Sequence, residues 1–200
     1  MIARSKLFYT PTLVITGAGP YAENYYYTNT DVSKDPKVRR FMPHNLIEAK
    51  MKRRQWFAKD EYNFTRVAKS LAKIVRSGGN VCVGSHGQLQ GLAFHWEMWS
   101  MATGMTPMEV LRSATLTGAQ GLGYGADLGS LEKGKLADLV ILEKNPLDDI
   151  RNTTSIKYVM KNGQLYEGDT LNEVWPELKT LPPLWWWNDR PNDSIISSKP

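Results

Sequence analysis

Four side chains of this sequence could bind a metal or move a proton near neutral pH: His44, His86, His95 and the single cysteine, Cys82. A zinc site needs three or four converging His, Cys, Asp or Glu ligands. The sequence contains neither a His-x-His nor a His-x-x-x-His pair, so its spacing alone does not assemble such a site. His86 is the candidate catalytic residue, for reasons of position.

His86 lies in the segment Gly84-Ser85-His86-Gly87, directly after the apolar run Val81-Cys82-Val83. That run predicts a strand over 80–84 that is buried on both faces. In parallel α/β architectures, ligands gather at the carboxyl ends of the strands, and flanking glycines let the backbone approach a ligand closely. A histidine that only hydrogen-bonds a neighbouring carbonyl in a tight turn fits the same position equally well.

The other candidates have simpler explanations. His95 falls on a predicted helix beside three aromatic residues, which favours a packed or surface histidine. Cys82 lies inside the apolar run and is expected to pack as a small hydrophobic residue. The position of His44 after a proline is uninformative.

A glycine-rich segment, Gly17-Ala18-Gly19-Pro20-Tyr21-Ala22, matches the glycine spacing of a dinucleotide-binding fingerprint. That fingerprint must open a helix whose N-terminus faces the pyrophosphate. Here Pro20 removes one backbone donor, and the Tyr-rich stretch that follows shows no apolar period. We therefore do not assign nucleotide binding to this segment.

The elements that would position these residues begin with a predicted strand over Leu7–Thr16. The stretch 21–59 has weak periodicity and is far longer than an ordinary connection, which is typical of a functional or disordered loop. Its tyrosines, Tyr21 and Tyr25–Tyr27, could line a pocket over the site or pack against helices that this sequence does not contain. Apolar residues at helical spacing predict a helix over Asp60–Arg76.

Two further helices and a β-rich region follow. One helix is predicted from about Leu89 to Thr103, and another over Pro107–Leu122, which Thr106 can cap. Short strands come next, with a hairpin over Ile156–Tyr166 that turns at Asn-Gly. Beyond them, a tail rich in Trp and Pro is expected to pack its aromatic side chains on the body of the protein.

The composition is that of a globular protein: of 200 residues, 42% are hydrophobic and 22% are charged. No run approaches the roughly 20 apolar residues that cross a bilayer, so we expect no transmembrane helix. We also expect no signal peptide, and one cysteine cannot form an internal disulfide. The sequence does not indicate the cellular compartment of the protein.

Positive charge is concentrated in one region. The net charge is +5, yet residues 34–76 alone contain 13 basic and 4 acidic side chains. Part of this excess is explained by the solvated face of the predicted helix over Asp60–Arg76. The cluster Lys50–Arg54 has no such explanation, so nucleic-acid binding is kept as a less favoured alternative.

Three motifs resemble the C-terminal part of amidohydrolase-superfamily proteins, in the branch related to imidazolonepropionase and found with Tricorn-like proteins. The motifs are Gly84-Ser-His-Gly-Gln-Leu-Gln-Gly91, Ala114-Thr-Leu-Thr-Gly-Ala119 and Leu128-Gly-Ser-Leu-Glu-Lys-Gly-Lys-Leu-Ala-Asp-Leu139. The resemblance extends over nearly all of the chain, from Tyr9 to Trp185.

The resemblance implies an α/β fold: a (β/α)8 TIM-type barrel, of which this chain supplies the last two βα units, plus the C-terminal part of a small β-sandwich. Leu7–Thr16 would be strand seven and Asn80–Gly84 strand eight. The implied chemistry is metal-dependent hydrolysis of C–N bonds in small-molecule amides or cyclic amides. A divalent metal, with zinc expected, would lower the pKa of a bound water.

The chain departs from the family pattern in two ways. The family's metal ligands follow strands one, four, five and six, none of which this sequence supplies, and His86 stands where an Asp usually follows strand eight. We therefore expect a fragment that is inactive and binds no metal alone, because the N-terminal barrel half is missing. The expected segments are the barrel portion 1–125, a composite sandwich segment 126–170 and a tail 171–200. The main alternative is a non-catalytic assembly module that complements a separate N-terminal chain.

Overall fold

The computed structural model describes residues 1–15, 19–52 and 55–187. The helices are α1 (Ala22–Asn29), α2 (Pro36–Phe41), α3 (His44–Met51), α4 (Phe64–Arg76), α5 (Leu92–Met101), α6 (Pro107–Ala114) and α7 (Leu116–Gly121). Short 3-10 helices occupy Ile2–Ser5, Leu13–Ile15, Val32–Lys34, Lys59–Glu61, Ile150–Thr154 and Trp185–Trp187. The fold is a mixed α/β structure.

The strands form two sheets. The strands are β1 (Phe8–Tyr9), β2 (Asn80–Val81), β3 (Leu139–Leu142), β4 (Ile156–Lys161), β5 (Gln164–Glu167) and β6 (Glu173–Trp175). β1 and β2 pair in parallel, in a register that places Phe8 opposite Asn80. β3 to β6 form an antiparallel sheet in sequence order. The first sheet positions the candidate site.

The two predicted site strands are shorter than expected. The first ends at Tyr9 instead of Thr16, because Pro11 lacks an N–H and Thr12 adopts a left-handed backbone with φ 52°. Leu13–Ile15 then turns into a 3-10 helix. The second covers Asn80–Val81 instead of Asn80–Gly84, although the Cys82 N–H still donates to the Tyr9 carbonyl at 2.9 Å.

The prediction of a long loop over 21–59 is wrong, because α1, α2 and α3 lie within it. Each of these helices has only six to eight residues, too few for a clear helical repeat. Their buried residues include Tyr26 and Tyr27, with Val38 and Ile47 as single aliphatic contacts. Neither a pair of tyrosines nor a single aliphatic residue forms the repeating apolar stripe that indicates a helix in a sequence.

The longer helices match the prediction more closely. α4 begins at Phe64, four residues later than expected, and buries one apolar face. α6 begins at Pro107, and its capping box is present: Thr106 Oγ1 accepts from the Glu109 N–H at 3.3 Å, and Glu109 accepts from the Thr106 N–H at 2.8 Å. The expected continuous helix to Leu122 is broken at Thr115, which has φ −123° and ψ −95°.

Helix α5 is the centre of the protein interior. Trp96 has no exposed surface, and its ring stacks on Tyr26 at 5.0 Å and meets Tyr27 edge-on at 5.1 Å. On another side of α5, Met98 and Met101 pack with buried residues of α4 and α6. Both hydrophobic clusters therefore include α5.

The C-terminal region confirms the predicted hairpin and tail. Asn162 and Gly163, with φ 50° and 81°, connect β4 to β5. The indole N–H groups of Trp186 and Trp187 both donate to the Arg40 carbonyl, at 3.2 and 2.8 Å. The tail thus packs on α2. Among the described residues, no helix is both long and apolar enough to cross a membrane.

Candidate functional site

The candidate site lies where the parallel strands β1 and β2 end. Gly84 follows β2 and packs so closely on the segment after β1 that a Cβ there would collide with Cγ2 of Thr10. The same Cβ would lie 3.6 Å from Oγ1 of Thr12. The Thr10 methyl group and, more loosely, the Thr12 hydroxyl oxygen therefore pack against the glycine that precedes Ser85 and His86.

His86 is exposed and occupies a turn two residues beyond Gly84. Its backbone is left-handed, with φ 54°, and Gly87 continues the turn with φ 66°. The imidazole therefore lies outside the buried interior, five residues beyond Val81, where β2 ends. Its catalytic role stays a prediction.

Sequence reasoning missed the buried carboxylate behind this site. Glu97, on α5, has no exposed surface, and its two oxygens accept from the backbone N–H groups of Leu13 at 2.7 Å and Val14 at 2.8 Å. Burial raises the pKa of Glu97 to about 7, while the two backbone hydrogen bonds lower it. A lone glutamate between Trp96 and Met98 in an apolar helix was the signal that could have identified it.

His95 is packed, as predicted. Its Nδ1 lies 3.0 Å from Oγ1 of Thr153, which donates its own hydrogen to the Ile150 carbonyl and accepts from the Trp99 indole. The ring hydrogen is therefore assigned to Nδ1, which leaves Nε2 as an acceptor. Burial, with Lys37 nearby, lowers the pKa of His95 to about 4, so the ring is neutral.

A cavity of about 460 Å³ adjoins His95. It lies between α2, the start of α5 and the C-terminal sheet, and its lining is mostly apolar. The lining residues that the structure describes do not include His86. This cavity and the strand ends of β1 and β2 are therefore separate features.

The other sequence candidates do not join His86. Nε2 of His44 lies 3.1 Å from the Glu48 carboxylate on the surface of α3. Cys82 is buried and packs as a small hydrophobic residue, as expected, with Sγ 3.6 Å from the Thr117 carbonyl, and burial raises the pKa of the thiol. Across residues 1–15, 19–52 and 55–187, no three His, Cys, Asp or Glu side chains converge on a common point.

The glycine-rich segment does precede a helix, contrary to the prediction, because α1 begins at Ala22. Gly17 and Ala18 lie outside the described residues. Gly19 faces protein: a Cβ there would lie 2.7 Å from the Asn63 amide nitrogen and 2.9 Å from the Glu61 carbonyl. The close approach that this glycine permits is therefore made by the chain itself.

The basic cluster Lys50–Arg54 is described only in part, since Arg53 and Arg54 lie outside the described residues. Nζ of Lys50 donates to the Gln88 side chain at 2.8 Å. Lys52 lies 3.6 Å from the Glu48 carboxylate. Both lysines thus have partners within the protein, which weakens the case for a free phosphate-binding patch.

Known proteins resemble segments of this chain. An Aspergillus niger ochratoxinase is 39% identical over 69 residues, which are 32% of this chain and 14% of that protein. An imidazolonepropionase of Shouchella clausii is 33% identical over 88 residues, which are 42% of this chain and 20% of that protein. Among solved structures, a Xaa-Pro dipeptidase with bound methionine superposes with a TM-score of 0.53 and 25% identity.

The chain spans only a small part of these relatives. The dipeptidase comparison covers 83% of this chain but 36% of the other. A family model described as "Amidohydrolase family" matches residues 27–166, which include His86, Glu97 and the C-terminal hairpin. Since this match covers more than half of the sequence, the chain belongs to the amidohydrolase family.

Proposed function

We propose that this chain is the C-terminal part of a metal-dependent amidohydrolase that cleaves C–N bonds in small amides or cyclic amides. The observation that carries the proposal is the parallel pair β1–β2, with His86 just beyond its carboxyl end and inside the family match. Catalytic groups of α/β barrels lie at this end of the strands. In the proposed barrel, β1 and β2 are strands seven and eight.

We propose a division of the chain into three segments. Residues 1–125 would form the closing part of the barrel, and 126–170 would contribute β3, β4 and β5 to a composite sandwich. The tail, 171–200, would add β6 and dock its tryptophans on α2. Both residues of β1, Phe8 and Tyr9, are exposed, and so is the preceding Leu7, which supports further strands packing there.

The described residues do not fit a metal site by themselves. His86 offers one imidazole, and the hydroxyls of Thr10 and Thr12 are weak ligands for zinc. We therefore derive no step through a metal in this chain. The remaining ligands are proposed to come from outside this sequence, either upstream in the same polypeptide or from a separate chain.

The role proposed for His86 is to accept or return a proton at the mouth of the assembled barrel. A neutral imidazole has one nitrogen free for this purpose, and its exposed turn allows access to a bound substrate. The same side of the site would be lined by Thr10, whose methyl group packs on Gly84, and by Thr12.

Complementation tests the proposal. The chain is co-expressed with the preceding barrel strands, as one polypeptide or as two, and the product is assayed for bound zinc and for hydrolysis of N-acyl amino acids and lactams. We expect zinc uptake and hydrolysis only in the assembled protein, with His86→Ala reducing turnover at least 100-fold and retaining assembly.

Two outcomes would overturn parts of the proposal. Stable co-purification with zinc but no hydrolysis would favour the non-catalytic assembly module. Salt-sensitive binding of nucleic acid without any association between the two parts would favour the basic alternative.

A further inference from the structure

Glu97 joins the centre of the protein to the loop that follows β1. Its carboxylate has no exposed surface, and each oxygen accepts one backbone N–H, from Leu13 at 2.7 Å and from Val14 at 2.8 Å. We propose that Glu97 is a positioning residue whose ionisation holds the loop after β1 in place beside Gly84 and His86. The inference rests on the proposed function, because that function makes these strand ends a site.

The loop adopts a backbone conformation that requires support. Thr12 has φ 52°, and a left-handed conformation is rare for a β-branched residue. Such strained residues persist where the surrounding structure over-determines them, and they cluster at functional sites. The two N–H groups that Glu97 binds belong to the residues directly after Thr12. The carboxylate is therefore placed to hold the strained turn.

The turn also contacts the other strand end. A Cβ at Gly84 would collide with the Thr10 methyl group and would lie at ordinary contact distance, 3.6 Å, from Oγ1 of Thr12. His86 is only two residues further along the chain. A movement of the loop after β1 would therefore change the surface on which the segment Gly84–His86 rests, and with it the direction of the imidazole.

Ionisation and loop position are coupled by the same two hydrogen bonds. An ionised carboxylate accepts at both oxygens, whereas a protonated one gives up part of its accepting capacity at one of them. The bonds to the loop consequently favour the ionised form, and by linkage ionisation favours the bonded loop. Burial acts in the opposite direction and raises the pKa of Glu97 to about 7.

The surroundings of Glu97 are mainly apolar and neutral. From α1, Tyr26 interacts electrostatically with Glu97 and donates or accepts a hydrogen bond with Ser100 at 2.9 Å; burial raises the pKa of Tyr26, so it stays neutral. Arg151, the second residue of the 3-10 helix Ile150–Thr154, interacts electrostatically with Tyr26. His95 precedes Glu97 on α5 and is neutral, and Lys37 acts on His95. α4 and α6 contribute apolar residues to the cluster around α5.

Amide NMR of the isotopically labelled 200-residue chain tests the inference between pH 5 and 9. As the pH rises and Glu97 ionises, we expect the Leu13 and Val14 amide proton resonances to move downfield with one shared midpoint near pH 7. In Glu97→Gln this titration should disappear, and hydrogen exchange at both amides should accelerate at least tenfold. The titration of the unmodified chain tests the inference even if Glu97→Gln fails to fold. If the Leu13 and Val14 amides do not share a midpoint, the inference is overturned.

A matched control is Glu61→Gln. Glu61 also accepts a backbone N–H, from Ala58 at 2.6 Å, but it is exposed. Its substitution should change the Ala58 amide and leave the Leu13 and Val14 titration intact. Loss of that titration in Glu61→Gln as well would overturn the assignment to Glu97.

A second readout separates positioning from local anchoring. In His86→Gln, where the imidazole cannot contribute, the Gly84 amide should still shift with the midpoint seen at Leu13 and Val14. A Gly84 amide that ignores this midpoint would overturn the positioning role. None of these measurements requires metal, substrate or turnover. Failure of the complementation assay with an intact titration would therefore refute the proposed function alone.

Discussion

The interior around α5 and the strand pair β1–β2 differ in how completely the chain covers them. Trp96 and Glu97 on α5 have no exposed surface, whereas Phe8 and Tyr9 on β1 are 40% and 39% exposed. The interior is packed from several helices, while each strand of the pair has two residues and one partner. The candidate site lies between these regions. On one side it contacts the buried interior around α5, and on the other it adjoins the exposed residues of β1.

The largest effect that tests this comparison is expected from Trp96→Ala. Removal of a fully buried indole that contacts Tyr26 and Tyr27 should lower the free energy of unfolding by about 3–5 kcal/mol. Phe8→Ala should cost about 1 kcal/mol or less in the same chain, because the ring is already partly in water. Denaturant unfolding followed by far-UV circular dichroism measures both changes in the free energy of unfolding. Similar values for the two variants would contradict the difference in burial between α5 and β1.

The pH dependence of stability should also report the interior. The pKa of Glu97 is raised from 4.5 to about 7 in the folded chain. Between these values the folded state binds more protons than the unfolded state, so the group's contribution to stability falls as pH rises through this window. The destabilisation caused by Glu97→Gln should consequently shrink, by at most about 3 kcal/mol, between pH 4.5 and 7. Urea titrations at several pH values measure the difference in free energy of unfolding between the unmodified chain and Glu97→Gln. A difference that does not change with pH would contradict burial of the charge.

His95, two residues away, should show the opposite slope. Its pKa is lowered from 6.5 to about 4, so the unfolded state binds more protons in that range. Stability from this group should be complete above pH 6.5 and be lost as pH falls toward 4. Since the ring is partly exposed, the change should be roughly 1–2 kcal/mol. Comparison of the pH dependence of stability with that of His95→Gln isolates the contribution of His95. An NMR titration that shows protonation of the ring above pH 6 would refute this prediction.

The smallest effect is expected in the C-terminal sheet. Gly163 has φ 81° in the two-residue turn between β4 and β5, and nothing lies within 4 Å of a Cβ placed there. Gly163→Ala should therefore cost about 1 kcal/mol through backbone strain alone. Gly78→Ala, also at positive φ with open space, is the matched control and should cost a similar amount. A much larger loss at Gly163 would reveal a contact that the turn geometry does not explain.

The predictable parts of the structure are those with local signals. α4 has an apolar stripe, α6 has a capping box, and Asn162-Gly163 specifies its own turn. His86 could be placed at a strand end because an apolar run and glycines surround it in sequence. Each of these signals lies within about a dozen residues.

The parts that sequence reasoning missed depend on distant contacts. The bond from the Leu13 N–H to Glu97 joins residues 84 positions apart, and no local pattern indicates it. Helices α1 to α3 are two turns or shorter and gain their burial from Trp96 and its neighbours. The strand predicted over Leu7–Thr16 ends at Tyr9, before Pro11, and the left-handed backbone of Thr12 is a feature that the composition of the run does not indicate.

Zinc-supplemented turnover by the isolated 200-residue chain tests whether this chain forms a working hydrolase site by itself. N-acyl amino acids and lactams are offered to the purified chain with and without zinc, and product is measured against buffer and against His86→Ala. We expect no hydrolysis above the buffer rate, since the described residues supply only one imidazole to the site. Zinc-dependent hydrolysis at enzyme-like rates that disappears in His86→Ala would contradict it.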